Sequence, residues 1–161
     1  MTIKELQQYK KILILGYGIE GHATLRFLTK HVPGAIVTIA DKNDGGDYVS
    51  KQKDVDLVIR SPGVKLGDIT QKSTTATNIF FANCKGTTIG VTGTKGKSTT
   101  ASLIASMLKQ KYTDVRLVGN IGTPMLDALT DATSETYFVV ELSSYQLADC
   151  LYSPHIALVV N

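Results

Sequence analysis

The segment Gly93-Thr94-Lys95-Gly96-Lys97-Ser98-Thr99 combines glycines, lysines and hydroxyls in the manner of a phosphate-binding loop. It lies between a β-type run and a helix-like stretch, where backbone N–H groups and the helix dipole converge on an anion. The glycines let the backbone wrap phosphate oxygens without a Cβ in the way. We expect the Lys97 amine to neutralise the β and γ phosphates of a bound nucleotide, and Ser98 or Thr99 to offer a hydroxyl to Mg²⁺.

The strict phosphate-loop pattern is only partly met by this segment. The pattern asks for a glycine five residues before Gly96, and that position is Val91. A tight strand-to-helix turn without a ligand is therefore the alternative interpretation. Gly-Lys-Ser-Thr in this context is uncommon by chance, which favours a nucleotide site with Lys97 as its main cation.

A second glycine-rich turn, Gly16-Tyr17-Gly18-Ile19-Glu20-Gly21, follows an apolar run near the start of the chain. It fits the G-x-G-x-x-G pattern that holds a pyrophosphate, and Asp41 follows it about 20 residues on, where a ribose-binding carboxylate is found. The pattern is weak when taken alone. A plain strand-to-helix turn, NAD and another diphosphate such as a UDP-sugar all remain compatible with it.

Glu141 ends the apolar run 138–140 and precedes Leu142-Ser143-Ser144. A carboxylate at a strand end beside a phosphate loop is well placed to hold Mg²⁺ directly or through water. The alternative is a carboxylate that merely favours a helix N-terminus. Asn120, in the turn Gly119-Asn120-Ile121-Gly122, either hydrogen-bonds a ligand or stabilises its turn. We assign catalytic roles to Lys97 and Glu141.

The histidines and cysteines receive no chemical role. His22, His31 and His155 show no metal-ligand spacing and no nucleophile partner. Cys84 and Cys150 lie far apart, and we interpret them as two reduced thiols.

These residues require strands and helices that bring them together, and the hydrophobic pattern predicts two successive α/β units. The first unit has predicted strands at residues 12–15, 35–40 and 55–59 and a helix over 22–30. The second has predicted strands at residues 88–92, 115–118, 137–142 and 156–160, a helix over 98–110 and another near 124–129. The pattern predicts a loop over 41–53, a unit boundary near 83–86, and nothing secure over 65–77.

The composition indicates an ordered globular protein. The chain has 161 residues, of which 43% are hydrophobic and 19% charged. Its net charge of +3 is scattered, so it gives no reason to invoke nucleic acid. No apolar run approaches the ~20 residues that span a bilayer, and the polar residues 1–11 lack the apolar core that is typical of a signal peptide. We expect a cytoplasmic protein that is monomeric and has no membrane partner.

Four segments, taken in this order, resemble the Mur ligase family. They are the turn at residues 16–21, Ser61-Pro62-Gly63-Val64, the loop at 92–99, and Glu141-Leu142-Ser143-Ser144-Tyr145-Gln146-Leu147 with the turn 119–122 before it. The Ser-Pro-Gly turn and the Glu-Leu-Ser-Ser string are most similar to the branch that adds D-glutamate to UDP-N-acetylmuramoyl-L-alanine. The resemblance covers nearly the whole chain.

The resemblance implies an α/β fold with a Rossmann-like parallel-sheet domain for the UDP substrate over residues 1–84. A truncated P-loop ATPase domain is implied over residues 85–161. The implied activity is an ATP- and Mg²⁺-dependent ligase that forms an acyl phosphate, which the amine of D-glutamate attacks. The implied substrate-binding residues are Gly18, Ile19, Glu20, Asp41, Lys42, Asn43, Ser61 and Asn120. The implied metal-binding residues are Ser98, Thr99, Glu141 and Ser143.

Several departures from the family pattern affect this interpretation. Lys95 stands where the family usually has Asn, the segment 41–59 is shorter than expected, and the link 65–83 matches poorly. An Asp-His segment, a modified lysine and the amino-acid-binding domain of the family find no match in this sequence. We therefore expect a fragment that does not turn over alone.

Three other functions remain open on the sequence. Another Mur ligase or a folylpolyglutamate-synthase relative would share the phosphate loop. A nicotinamide-dependent dehydrogenase would explain the first glycine turn and Asp41, but it leaves Lys97 and Glu141 without a role. A non-catalytic nucleotide-binding module would suit a truncated chain.

Overall fold

The computed structural model describes residues 1–161 and divides the chain into two units, Met1–Asn83 and Cys84–Asn161. Each unit contains one four-stranded β-sheet in which all paired strands run parallel. Parallel neighbours need crossover connections, which helices and short turns supply here. The predicted α/β fold class is confirmed.

The first unit begins with a single helical turn and then alternates strands with helices. Its elements are α1 (Ile3–Leu6), β1 (Lys11–Leu15), α2 (Ile19–His31), β2 (Ile36–Ala40), β3 (Leu57–Arg60), β4 (Ser73–Thr75) and α3 (Ala76–Asn83). The strand order is β2-β1-β3-β4. Because β1 has a neighbour on either side, its apolar run 12–15 is fully buried.

The second unit repeats the strand–turn–helix plan around a second sheet. Its elements are β5 (Thr87–Gly93), α4 (Lys97–Leu108), β6 (Val115–Gly119), β7 (Tyr137–Glu141), α5 (Ser144–Leu147) and β8 (Ile156–Val160). The strand order is β6-β7-β5-β8, so β5 and β7 are central. Ala101 and Ala105 of α4 pack with Val91 and Val139 in the core, since small side chains let the helix approach the sheet closely.

Three segments differ from the prediction. The predicted loop 41–53 contains two 3-10 helices, Lys42–Asp44 and Tyr48–Asp54, because the side chains of Asp41 and Asp47 cap them. The helix predicted near residues 124–129 is only the 3-10 turn Asp127–Leu129.

The third predicted strand starts two residues later than expected. The Asp56 carboxylate accepts hydrogen bonds from the backbone N–H groups of Lys10 and Lys11, at 3.1 and 2.9 Å, and so stabilises the start of β1. The strand itself begins at Leu57.

The helices are short. The longest, α2, has 13 residues, which corresponds to about 20 Å against the ~30 Å of a bilayer core. None of the helices in residues 1–161 combines the length and the apolar character that a membrane crossing needs.

Candidate functional site

Three strand ends meet at one edge of the second sheet. Val91 of β5 and Gly119 of β6 both pair with Glu141 of β7. Because parallel strands place their carboxyl ends at the same edge, the segments that follow them lie side by side. The register thus brings together the loop 94–96, the turn 120–122 and the segment that follows Glu141.

The loop after β5 ends in a left-handed glycine that starts a helix. Gly96 has a φ of +79° and is the N-cap of α4, which begins at Lys97. A Cβ at this position would meet no atom within 4 Å, so the positive φ is the reason for a glycine here. The N–H groups in the first turn of α4 have no acceptor within the helix. Together with the dipole of this 12-residue helix they favour an anion.

The Lys97 side chain folds back over the loop. Its Nζ donates hydrogen bonds to the carbonyl oxygens of Gly93, at 2.8 Å, and Thr94, at 3.4 Å. The ammonium charge is therefore held at the loop. Ser98 and Thr99 follow on the first turn of α4 with exposed side chains, so both hydroxyls are accessible there.

Glu141 is fully buried, and one of its carboxylate oxygens is unpaired. Oε1 accepts a hydrogen bond from Asn120 Nδ2 at 2.9 Å, whereas Oε2 has no hydrogen-bond partner. A buried carboxylate oxygen without a partner is costly, and a bound cation would lower this cost.

The donor set fits Mg²⁺ bound with a nucleotide. No group of three or more His, Cys, Asp or Glu side chains forms a metal site within residues 1–161. Mg²⁺ is usually held by one or two carboxylates, substrate phosphates and water. Glu141 Oε2 and the exposed hydroxyls of Ser98 and Thr99 are oxygen donors of this kind.

Ser143, the fourth predicted metal ligand, is occupied as a helix cap. Its Oγ accepts the N–H of Gln146 at 3.3 Å and donates to Gln146 Oε1 at 3.0 Å. One lone pair of the hydroxyl stays available after these bonds. A metal role for Ser143 stays a prediction, and the cap is its observed role.

A second meeting of strand ends lies in the first unit. Leu15 of β1 pairs with Ala40 of β2 and Arg60 of β3, so the glycine turn, the segment after Ala40 and the Ser-Pro-Gly turn lie side by side. Ser61 Oγ donates to the Gly16 carbonyl at 2.7 Å. Gly16 has a φ of +90°, and a Cβ there would lie 2.8 Å from Ser61 Cβ. The two turns are packed too closely for any other residue at position 16.

Asp41 supports the glycine turn. Its carboxylate accepts the N–H of Tyr17 at 2.7 Å and the N–H of Asn43 at 3.0 Å. The hydrogen bond from Tyr17, and to a lesser extent that from Asn43, holds the pKa of Asp41 below its usual value. The observed role of Asp41 is to support the turn, and its role as a substrate ligand stays a prediction.

The remaining substrate-binding candidates of the first unit follow the ends of β1 and β2. Gly18 is the N-cap of α2. Ile19 is 76% exposed, and Lys42 and Asn43 are exposed in the first 3-10 helix. Glu20 is half-buried in the first turn of α2.

Two supporting residues were not predicted from the sequence. Arg60 is 3% exposed and donates through Nη1 to the carbonyls of Val64, at 2.6 Å, and Ser61, at 3.3 Å, which shapes the Ser-Pro-Gly turn. Thr92 Oγ1 donates to the carbonyl of Leu142 at 2.9 Å and connects the end of β5, just before the loop 94–96, to the segment after Glu141. An arginine at the end of an apolar run was the available signal for the first of them.

The histidines have structural partners. His22 stacks on Tyr17 with ring centroids 4.0 Å apart, and His31 packs on Phe27 at 4.6 Å. His155 Nδ1 accepts the N–H of Thr88 at 3.1 Å, just before β8 begins. Both cysteines are free thiols.

Comparison with known proteins links both units to one group of enzymes. Residues 91–161 match the Mur ligase middle domain. The whole chain is similar to proteins named UDP-N-acetylmuramoylalanine-D-glutamate ligase. The one from Caldicellulosiruptor bescii is 33% identical over 94% of this chain and 39% of its own length.

Further relatives bear the same name. The one from Caldicellulosiruptor saccharolyticus is 31% identical over 94% of this chain and 40% of its own length. The one from Clostridium botulinum strain Loch Maree is 29% identical over 98% of this chain and 40% of its own length. The chain therefore spans about two fifths of the length of these relatives.

Proposed function

Because this chain belongs to the Mur ligase family, we propose that it forms part of a ligase that joins D-glutamate to UDP-N-acetylmuramoyl-L-alanine. The relatives named for this reaction match both of its units. The observation that carries the proposal is the lysine-bearing loop beside the buried carboxylate of Glu141. We assign ATP to the second unit and the UDP substrate to the first.

The second unit suits the triphosphate of ATP. The N–H groups at the start of α4 and the Lys97 ammonium supply positive charge on one side of the loop. Residues 93–99 would wrap the β and γ phosphates. Glu141 Oε2 with the Ser98 and Thr99 hydroxyls would hold Mg²⁺, which offsets phosphate charge when bound.

The chemistry that this arrangement supports is carboxylate activation. A carboxylate oxygen of the UDP substrate attacks the γ phosphorus of ATP, the bond to the bridging oxygen breaks, and ADP leaves with that electron pair. Lys97 stabilises the negative charge that grows on the phosphate oxygens. The amine of D-glutamate then attacks the acyl carbon, loses a proton and displaces phosphate as the amide forms.

The first unit suits the diphosphate of the UDP substrate. The N–H groups at the start of α2 have no acceptor within the helix, and a Cβ at Gly18, the residue before them, would meet no atom within 4 Å, so this part of the turn is open. The exposed side chains of Ile19, Lys42 and Asn43 flank this turn. A dehydrogenase is less well supported, because Asp41 already accepts two backbone N–H groups and the phosphate loop would have no role.

Ligand binding tests the assignment of the two units. Calorimetry with this chain is expected to show binding of Mg-ATP. A thermal shift is expected with UDP-N-acetylmuramoyl-L-alanine and absent with NAD. Absence of ATP binding, or protection by NAD in place of the UDP substrate, contradicts the proposal. A turnover assay with both substrates, run on this chain and on any longer protein that contains it, distinguishes a ligase from a non-catalytic nucleotide-binding module.

A further inference from the structure

Asn120 contacts Glu141 at two points, once at the buried carboxylate and once at the backbone. Its side-chain Nδ2 donates to Glu141 Oε1 at 2.9 Å, and its backbone N–H donates to the Glu141 carbonyl at 3.1 Å. The two residues lie 21 positions apart, in the turn after β6 and at the end of β7. The side-chain bond therefore joins two neighbouring strand ends.

The turn that carries Asn120 is closed by its own backbone. Gly119 donates to the Thr123 carbonyl at 3.3 Å, and Thr123 donates to the Leu117 carbonyl at 3.0 Å. Gly119 also pairs with Glu141 across the sheet. The backbone on either side of Asn120 is thus fixed. This also fixes the position from which the Asn120 side chain extends to Glu141.

An amide is a suitable group for orienting a carboxylate that has to bind a cation. Asn120 satisfies Oε1 with a neutral donor, which lowers the cost of burying the carboxylate while preserving its negative charge. A lysine or arginine in this place would neutralise the charge. The bond to Oε1 leaves Oε2 as the oxygen without a protein partner.

We propose that Asn120 is a positioning residue for the metal ligand: it fixes the Glu141 carboxylate so that Oε2 serves the cation of the bound Mg-nucleotide. This inference rests on the proposed function of the second unit. It gives Asn120 a role on the nucleotide side, in addition to the substrate contact that the family resemblance implies. The effect of Asn120 on Mg²⁺ is exerted through Glu141 alone.

The ratio between ATP affinities with and without Mg²⁺ tests this role. Calorimetry with excess Mg²⁺ and with EDTA gives this ratio, the Mg²⁺ enhancement, for each variant. We expect Asn120→Leu, which keeps the side-chain shape, to reduce the enhancement about tenfold, because hydrogen bonds to charged groups contribute this much. Affinity for Mg-free ATP should stay unchanged. If Asn120→Leu does not fold, Asn120→Ser takes its place. Its hydroxyl is too short for the same bond, so the same loss of enhancement is expected.

Thr136→Val is the matched control. Thr136 is fully buried and donates to Asp114 Oδ2 at 2.6 Å, just before the start of β7 and so at the opposite end from Glu141. This variant also exchanges a buried hydrogen-bonding side chain for an apolar one of similar shape. It should lower the melting temperature and leave the Mg²⁺ enhancement as in the wild-type chain.

A double-mutant cycle separates positioning from a general structural role. In a Glu141→Gln background, Asn120→Leu should cause no further loss of enhancement, since Asn120 acts through the carboxylate. Additive losses would overturn the inference, as would a wild-type enhancement in Asn120→Leu. Equal loss of Mg-free and Mg-bound affinity would show a structural role and also overturn it. A wild-type chain that binds no ATP under either condition contradicts the proposed function itself, and this inference with it.

Discussion

The two glycine turns of this chain share a backbone plan and differ in the charge placed on it. Each follows a parallel strand, β1 or β5, and leads into a helix, α2 or α4. In the first turn the Asp41 carboxylate accepts the Tyr17 N–H. In the second turn the Lys97 ammonium donates to the Gly93 carbonyl. The strand–turn–helix backbone therefore does not by itself decide how much anionic charge a turn can bind. That depends on the charged side chain that contacts the turn, which is a carboxylate in the first and an ammonium in the second.

This difference matches the ligands assigned to the two turns. A triphosphate carries several negative charges, and a lysine placed as a point charge at the loop stabilises them. The first turn already binds a carboxylate at one of its N–H groups, so a less charged diphosphate suits it better. The comparison predicts that a variant in one turn changes the ligand of that turn alone.

The largest expected effect is on the stability of the first turn. Gly16→Ala places a Cβ against Ser61 in a residue with a positive φ. We expect the first unit to lose about 3 kcal/mol of unfolding free energy from backbone strain and overpacking. Urea unfolding followed by hydrogen exchange reports each unit separately. Gly18→Ala is the control, because a Cβ at Gly18 meets no atom within 4 Å. Equal losses in both variants would contradict the close packing of the two turns.

The next effect is on nucleotide affinity in the second turn. Lys97→Ala removes the ammonium at the loop, and we expect Mg-ATP to bind at least about tenfold more weakly in calorimetry, or about 1.4 kcal/mol. Lys109→Ala, at the exposed C-cap of the same helix, should leave the affinity unchanged. UDP-N-acetylmuramoyl-L-alanine should bind both variants as it binds the wild-type chain. Unchanged ATP affinity in Lys97→Ala would contradict the idea that the lysine charge makes the second turn the triphosphate site.

The sequence allowed prediction of those parts of the fold in which the pattern is local. The apolar runs 12–15 and 138–140 are followed by glycine and glutamate, and the strands predicted at 12–15 and 137–142 are observed at Lys11–Leu15 and Tyr137–Glu141. Residues 65–77 are rich in Thr and Lys without a period, and neither β4 nor α3, which continues to Asn83, was predicted. The strand β4 depends on its neighbour, since Val58 of β3 pairs with Ser73.

The candidate site shows the same limit. Lys97 and Glu141 can be predicted as site residues because each stands in a local sequence pattern with a recognisable chemistry. The bond between Asn120 and Glu141 and the bond between Asp41 and Tyr17 join residues 21 and 24 positions apart. Such contacts depend on strand register, which a single sequence does not state. The residues that support a site are therefore harder to predict than those that stand in its motifs.

A smaller effect concerns pH and the first turn. The pKa of Asp41 is lowered in the folded chain, so its contribution to stability is complete above the usual value of 3.8 and is lost as the pH falls toward the folded value. Asp41→Asn keeps the shape and removes the charge. The stability difference between wild type and variant, measured by urea unfolding, should be constant above about pH 5 and shrink below pH 4. A difference that grows in acid would contradict the bonding of Asp41.

The smallest effects come from two hydroxyls that fasten the turns. Ser61 donates to the Gly16 carbonyl and Thr92 donates to the Leu142 carbonyl. Each bond is half-buried between neutral groups, so Ser61→Ala and Thr92→Val should each cost about 1 kcal/mol in their own unit.

The ligand that responds should differ between these two variants. Ser61→Ala should lower the affinity for the UDP substrate and leave the affinity for Mg-ATP unchanged. Thr92→Val should lower the affinity for Mg-ATP and leave that for the UDP substrate unchanged, because each hydroxyl stabilises one turn only. Calorimetry with both ligands on both variants gives four affinities. If Ser61→Ala weakened ATP as much as the UDP substrate, the two turns would not be independent sites.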